Sequence, residues 1–495
     1  MATRGSAATP FGWQKKVRIG VGHMGAGSLL HEDRLFPSEP GVRAIARRLY
    51  AEIKDLSIVS PHGHCDPAWF ADDVPFDNPA ALLLIPDHYL FRMLYSQGVA
   101  LEDLGIRRVD GGPVEADPRK IWGCFAEHYK LFRGTPSRLW LEDALSRVFG
   151  IEDRLTPDTA DEIYDRIDDC LPRPECRPRA LFDRFNIDVL TTTESPLDPL
   201  EHHQKVRASN WGGNVITAFR PDPVVDPEFE GFAQNVAELG ALTGEDTATW
   251  DGYLRALADR RRYFAEFGAT STDHGHPTAR TADLDRADCA ALFDKAMKGD
   301  TTPEEADLFR GQMLTEMARM SLEDGLVMRI HPGSARNHNR DLFERFGRDM
   351  GADIPTRTDY VAALKPLLDR FGNEGALSII LFTLDETVYS RELAPLAGHY
   401  PTLRLGPAWW FFDSPEGMLR YRRAVTETAG FYNTVGFNDD TRAFLSIPAR
   451  HDVARRIDCA YLAKLVADHR LDEDEAHDVA QDLTIGLVRR AYRLQ

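Results

Sequence analysis

The chain has no apolar run near the ~20 residues that a membrane-spanning helix needs. Its longest such stretches, around residues 82–86 and 379–382, are a handful of residues each, which predicts that no segment enters a bilayer. It has no CxxC pair: six cysteines (Cys65, Cys124, Cys170, Cys176, Cys289 and Cys459) lie scattered, and the expectation is reduced, unpaired thiols. No apolar run of signal-peptide length follows Lys15, Lys16 and Arg18, so a cytoplasmic protein is expected. It also lacks an excess of base. Fifty-nine Lys and Arg face 78 Asp and Glu, a net charge of -19, which argues against nucleic acid as a partner because phosphate binding requires basic surface. A small acidic substrate is still compatible, provided the site is a local basic island.

What is present is the composition of a globular protein, 43% apolar and 28% charged, long enough for several domains or for one (β/α) barrel of ~250 residues or more with insertions. Eight short β-branched or apolar runs recur between helical stretches, at residues 56–60, 187–192, 214–219, 268–272, 326–330, 377–383, 402–406 and 432–437. Strands alternating with helices imply parallel pairing, and eight such units close a barrel. The predicted fold is therefore an α/β, TIM-type (β/α)8 barrel over residues 29–495. The gap between the first two runs is far longer than an ordinary crossover, so a large helical insertion is expected at about 70–180. Apolar residues at helical spacing over 87–97, 120–132 and 139–148 support it, and Thr156-Pro157 resembles a helix start. Further helical insertions are expected at about 228–267 and 285–320, the latter with a capped start at Thr302-Pro303-Glu304-Glu305. Residues 1–28 read as a weakly ordered extension. Their Gly20-Val21-Gly22-His23-Met24-Gly25 spells the dinucleotide fingerprint, but Pro37 and Pro40 arrive before any helix of adequate length, so that function is rejected. The charged stretch 471–481 reads as a solvated helix face.

The first run leads into Pro61-His62-Gly63-His64-Cys65-Asp66-Pro67. Side chains two apart on a strand share a side, so His62 and His64 can turn both imidazoles to one ion, while Cys65 points the other way and reads as a bystander. An isolated His-x-His is more often a pair of hydrogen-bonded loop histidines. The other runs change the balance, because their C-terminal ends, which converge at one mouth of a barrel, carry Arg220, Asp273-His274, His331 with Arg336, and Asp440 with Arg442. His62, His64 and Asp440 make a three-ligand set with open positions, for which Asp439 is the rival carboxylate. Arg220, Arg336 and Arg442 are planar forks suited to a carboxylate.

The segments PHGHCDP, PDHYLFRMLYSQGV, TTTESPLD, FRPD, STDHG, IHPGSARNHN, PAWWFFD and NDDTRAFLSIPARHD together resemble the uronate (glucuronate) isomerases, a divergent branch of the amidohydrolase superfamily, from about Leu30 to the C-terminus. The resemblance implies isomerisation of D-glucuronate to D-fructuronate, and of D-galacturonate to D-tagaturonate, in hexuronate catabolism with one divalent metal such as zinc. Carried over by motif, the metal ligands are His62, His64 and Asp440, and Tyr89 matches the family's active-site tyrosine. Asp273, His331, Arg336 and Arg442 match its other polar site residues, and Arg220 fits the Arg-Pro-Asp segment. The bridging lysine and strand-six histidine of two-metal hydrolytic relatives are missing, since Thr272-Asp273-His274 and Thr383-Leu384-Asp385-Glu386 stand there, so a single ion is expected.

An aldose-to-ketose shift needs ring opening, carbonyl polarisation and a proton moved between carbons 2 and 1 through an enediol. Asp273 is the expected general acid/base, its pKa raised by a closed site. Tyr89 and His331 are expected to move hydroxyl protons, and Arg442, which does not give up its proton, to stabilise charge. Of Trp409-Trp410-Phe411-Phe412, core packing is expected for at least two, with Trp409 as an apolar wall of a sugar pocket. The expected partner is a small hexuronate, with homo-oligomerisation left open. The alternatives carried are a mononuclear metal hydrolase on the same His-His-Asp set and a non-catalytic sugar-acid binder.

Overall fold

The computed structural model describes residues 29–494. The expected extension 1–28, with its glycine fingerprint, lies outside the described residues. Three parallel strands, β1 (Ile58–Ser60), β2 (Ile187–Thr191) and β3 (Val215–Ile216), pair in that order. A second parallel sheet begins with β4 (Ser271–His274) and β5 (Val327–Ile330). After the antiparallel pair β6 (Ser334–Ala335) and β7 (Ile354–Pro355), it continues with β8 (Ile379–Leu381) and β9 (Leu403–Leu405), in the order β4-β5-β8-β9. Single bridges extend the two sheets: Phe219 pairs with Glu194 beyond the first and with Thr272 of β4, joining them, and Leu405 of β9 pairs with Thr434 at the other edge of the second. The ring closes where Asp440 N donates to His62 O (3.2 Å) and His64 N donates to Thr441 O (3.0 Å).

Alternation along the strands builds the interior. Val59, Val189, Val327 and Ile380 share one apolar cluster with Phe382, Val435, Val488 and Tyr492. Their neighbours in sequence, Ile58, Leu190, Met328, Ile379 and Leu381, pack instead beneath the helices. This is the period-two pattern of strands buried on both faces. Arg329 follows Val327 on the inner side, fully buried, and donates from Nη1 to Pro61 O and from Nε to Thr272 O, both at 3.2 Å. It thus ties the ends of β1 and β4 across the barrel.

The runs differ from expectation at three places. The fourth begins later, at Ser271, because Gly268 (φ 86°) ends the helix Trp250–Glu266, so Asp273 and His274 belong to the strand itself. The third is reduced to two residues. The eighth, 432–437, is not a strand: it makes one bridge at Thr434 before Gly436 (φ 77°) turns the backbone out of the extended region.

Between β1 and β2 the chain is helical, including His88–Tyr95, Pro118–His128, Pro136–Asp143 and Ala160–Asp168; the last starts a few residues beyond Thr156-Pro157. Phe232–Thr243 and Trp250–Glu266 precede β4, and Arg286–Lys298 and Pro303–Asp324 precede β5. Thr302 and Glu305 form the reciprocal capping box that their spacing predicts. Helix Glu473–Gln481 buries only Ala476, Val479 and Ala480. Among the described residues no helix is long and apolar enough to cross a membrane.

The cysteine expectation is corrected in part. Cys170 and Cys176 are bonded, their Cα atoms 6.3 Å apart, because the chain after helix Ala160–Asp168 folds back through the short turn Pro174–Cys176. Cys65, Cys124, Cys289 and Cys459 are free thiols.

Candidate active site

The strand ends open into a cavity of about 320 Å³ lined by all ten residues singled out from the sequence: His62, His64, Tyr89, Arg220, Asp273, His331, Arg336, Trp409, Asp440 and Arg442. At its floor, His62 Nε2 and His64 Nε2 stand 3.3 and 3.2 Å from the same atom, Asp440 Oδ1. Asp440 reaches them from a left-handed backbone (φ 43°), a conformation costly for a residue with a Cβ that aims its carboxylate between the two rings. Trp409 Nε1 donates to the other oxygen, Oδ2, at 2.6 Å. The rival Asp439 turns away, its buried carboxylate 3.0 Å from His451 Nε2. Cys65 also faces away, its Sγ 3.7 Å from Thr441 O.

Two imidazole nitrogens and a carboxylate oxygen, all within 4.8 Å of one another on one wall of a cavity, are a donor set that fits a divalent cation with positions left open. A second group, His62, Asp273 and His331, meets the same distance limit and shares His62. His62 Nδ1 and His331 Nε2 are buried without a hydrogen-bond partner. His331 Nδ1 lies 2.8 Å from Asp273 Oδ1, an ion-pair distance without hydrogen-bond alignment.

Asp273 does not have the raised pKa expected of a closed site. Burial pushes its carboxyl up, but His331, Arg220 (Nη1 to Oδ2, 3.6 Å) and His62 together outweigh burial and hold it well below the ordinary value. Burial, with Arg329 adding to it, drives the His62 imidazole well down.

The rim is basic but internally paired. Arg220 Nε contacts Asp222 (3.2 Å), Arg336 contacts Asp353 (3.3 Å) and Arg442 contacts Asp349 (2.8 Å). Asp222 is itself fixed by the Gly275 N–H at 3.1 Å. Arg348 also lines the cavity, its guanidinium 4.4 Å from the Phe229 ring centroid. Tyr89 enters from outside the barrel, on helix His88–Tyr95. Asp87 caps that helix by accepting from Tyr89 N (2.9 Å), while Leu90, Phe91 and Leu94 bury its far face. The tyrosine hydroxyl donates to Asp413 Oδ1 (2.9 Å) and accepts from Phe411 N (3.1 Å).

Trp409 is buried against His331 (centroids 4.8 Å) and walls the cavity together with Trp410, while Phe412 packs on the main core and Phe411 on the barrel interior. Asp385, left without a role from sequence, accepts from Thr387 N at 3.0 Å and caps a short turn, and Glu386 pairs with Arg420. His274 faces Thr272 Oγ1 (2.9 Å), not the cavity.

Reading the strand ends missed His88, Arg348, Asp349, Asp413 and Arg450, all of which line the cavity. His88 and Asp413 adjoin residues already singled out, in the segments PDHYLF and PAWWFFD. Arg450 sits in the first turn of helix Ile447–Ala467, well beyond the eighth run, and no spacing rule points it inward.

The glucuronate isomerase family model matches residues 40–489. A curated uronate isomerase from Rhizorhabdus wittichii is 68% identical over 465 residues, covering 94% of this chain and 98% of the relative. The crystal structure of glucuronate isomerase from Caulobacter crescentus superposes with a TM-score of 0.93 at 61% identity, covering 94% of this chain and 98% of that one. That of uronate isomerase from Thermotoga maritima gives 0.87 at 28% identity, covering 94% and 99%.

Proposed function

This chain belongs to the glucuronate isomerase family, and from that premise we propose how its cavity carries out the aldose–ketose isomerisation of a hexuronate, D-glucuronate to D-fructuronate and D-galacturonate to D-tagaturonate. The observation that carries the reading is the Asp273–His331 pair set beside the His62–His64–Asp440 donor set and under a rim of arginines. A divalent ion, zinc by the nitrogen and oxygen donors, held by His62, His64 and Asp440, supplies Lewis acidity when bound. Asp273, kept ionised by its neighbours, starts as the base that takes the proton from carbon 2 and returns it to carbon 1. His331, fixed by Asp273 and stacked on Phe382 (centroids 4.0 Å), is placed to move a hydroxyl proton, as is Tyr89. Arg442 stabilises the enediolate charge as it develops. Arg220 and Arg336 hold the substrate carboxylate, and Trp409 closes the apolar side of the sugar.

The mononuclear hydrolase alternative could use the same His62–His64–Asp440 set, and the family match and the high-identity relatives favour isomerisation over it. A cytoplasmic location and a small hexuronate as partner go with the isomerase reading, and against the acidic net charge of -19 the arginines Arg220, Arg336 and Arg442 make the cavity the local basic island that such a substrate requires. The test is incubation of the purified protein with D-glucuronate in deuterium oxide. Ketose carrying deuterium at carbon 1 is expected. No ketose sinks the assignment, and ketose without deuterium replaces exchangeable proton transfer by a shielded or hydride route.

A further inference from the structure

Tyr89 is held by a chain of side-chain contacts through Asp413 and Arg450. Its hydroxyl has one proton and two lone pairs. The proton goes to Asp413 Oδ1 (2.9 Å), and one lone pair accepts the Phe411 N–H (3.1 Å). That N–H is aimed by a Phe411 backbone in the left-handed region (φ 67°), a strained placement for an aromatic residue. Asp413 in turn accepts at Oδ2 from Arg450 Nη1 at 2.6 Å. Arg450 is buried. It donates to Asp439 O (3.3 Å) and, from Nε, to Ser446 Oγ (3.1 Å), and it lies 3.5 Å over the Trp140 ring. With its proton and one lone pair committed, the phenol, which lines the cavity, has one lone pair left.

We propose that Asp413, clamped by Arg450, is the positioning residue for Tyr89: it claims the phenolic proton, so that the tyrosine meets the substrate as an acceptor and relays a hydroxyl proton to Asp413. The inference rests on the isomerase reading. In the step, the substrate O–H breaks as a Tyr89 O–H forms, and the former Tyr89 proton moves to Asp413 Oδ1, leaving a neutral carboxylic acid and a substrate oxyanion. The reverse transfer restores both. Burial lifts the Asp413 carboxyl above its ordinary value against the pull of Arg450, in keeping with a group that takes a proton in passing.

A double-mutant cycle on the full-length, zinc-loaded protein with D-glucuronate tests the relay. Asp413→Asn is expected to lower kcat by about tenfold to a hundredfold with KM changed by less than about threefold. In a Tyr89→Phe background the same substitution should change kcat by less than about threefold, because the group through which it acts is gone. A merely structural role carries the full penalty into the Tyr89→Phe background, or falls mainly on KM; either result overturns the proposal. If Asp413→Asn does not fold, the cycle is run from Arg450→Lys, which loosens the clamp and keeps its charge, with the same reading. Wild-type ketose formation is measured alongside. Its absence sinks the isomerase assignment, whereas wild-type turnover with an additive cycle sinks only the relay.

Discussion

On the cavity floor His62, Asp273 and His331 keep only 1%, 2% and 3% of their surface exposed, whereas at the rim the Arg442 and Asp349 side chains keep 39% and 44%. The floor leaves buried nitrogens of His62 and His331 without hydrogen-bond partners. At the rim, Arg220, Arg336 and Arg442 each have an aspartate. Buried polar atoms are costly to leave unpaired. The rim pairs are already made, and in the proposed function a substrate carboxylate there would exchange partners with an aspartate already in place.

The floor is where the largest effects should fall. His64→Ala should drop zinc, measured by elemental analysis after dialysis, from about one per chain to near none, and turnover with it. Retention of zinc would move the ion site elsewhere and erase the contrast. Asp273→Asn should lower kcat by about 10²–10⁴-fold while zinc content stays at the wild-type level; an unchanged kcat would give the carbon 2 proton to another group.

The rim should respond more weakly and in a different parameter. Arg336→Ala removes a charge-assisted contact of ~1.5–3 kcal/mol, so KM for D-glucuronate should rise about tenfold to a hundredfold with kcat little altered. A fall confined to kcat would place Arg336 with the floor. Least of all, Asp349→Asn should cost ~0.5 kcal/mol near pH 7, since solvent screens a pair this exposed. Burial raises the Asp349 carboxyl, but Arg442 and its neighbours prevail and hold it at about 2 in the folded protein, against 3.8 as its ordinary value. Its contribution is therefore present above pH ~4 and lost as pH falls toward ~2. Thermal unfolding of both proteins across that range should converge at the acid end; a constant difference would remove the ion pair from the account.

Much of the floor was legible in the sequence because its residues follow strand ends, where period two and chain direction decide which way a side chain points. His62, His64, Asp273 and His331 are of this kind. Asp440 reads as the end of an eighth strand, but that run is not a strand, and it is a left-handed backbone that aims its carboxylate. Tyr89 was found through resemblance alone, since its helix belongs to the insertion and a tyrosine on such a helix ordinarily packs in a core. Asp349 and Arg348 come from the segment between β6 and β7, which shows no periodicity, and Arg450 from a helix beyond the last barrel strand. Nothing local tells such residues that they face a cavity. The Cys170–Cys176 bond was missed for the same reason: six residues of separation do not reveal a fold-back turn.

Tyr89 and Trp140 both belong to the helices between β1 and β2, yet they meet Asp413 and Arg450, which belong to the end of the barrel sequence. The cavity is thus stitched from distant parts of the chain: ring closure sets Asp440 beside His62 and His64, while the tyrosine depends on how the insertion docks. A change in that docking would displace Tyr89 and leave the His62–His64–Asp440 contacts in place.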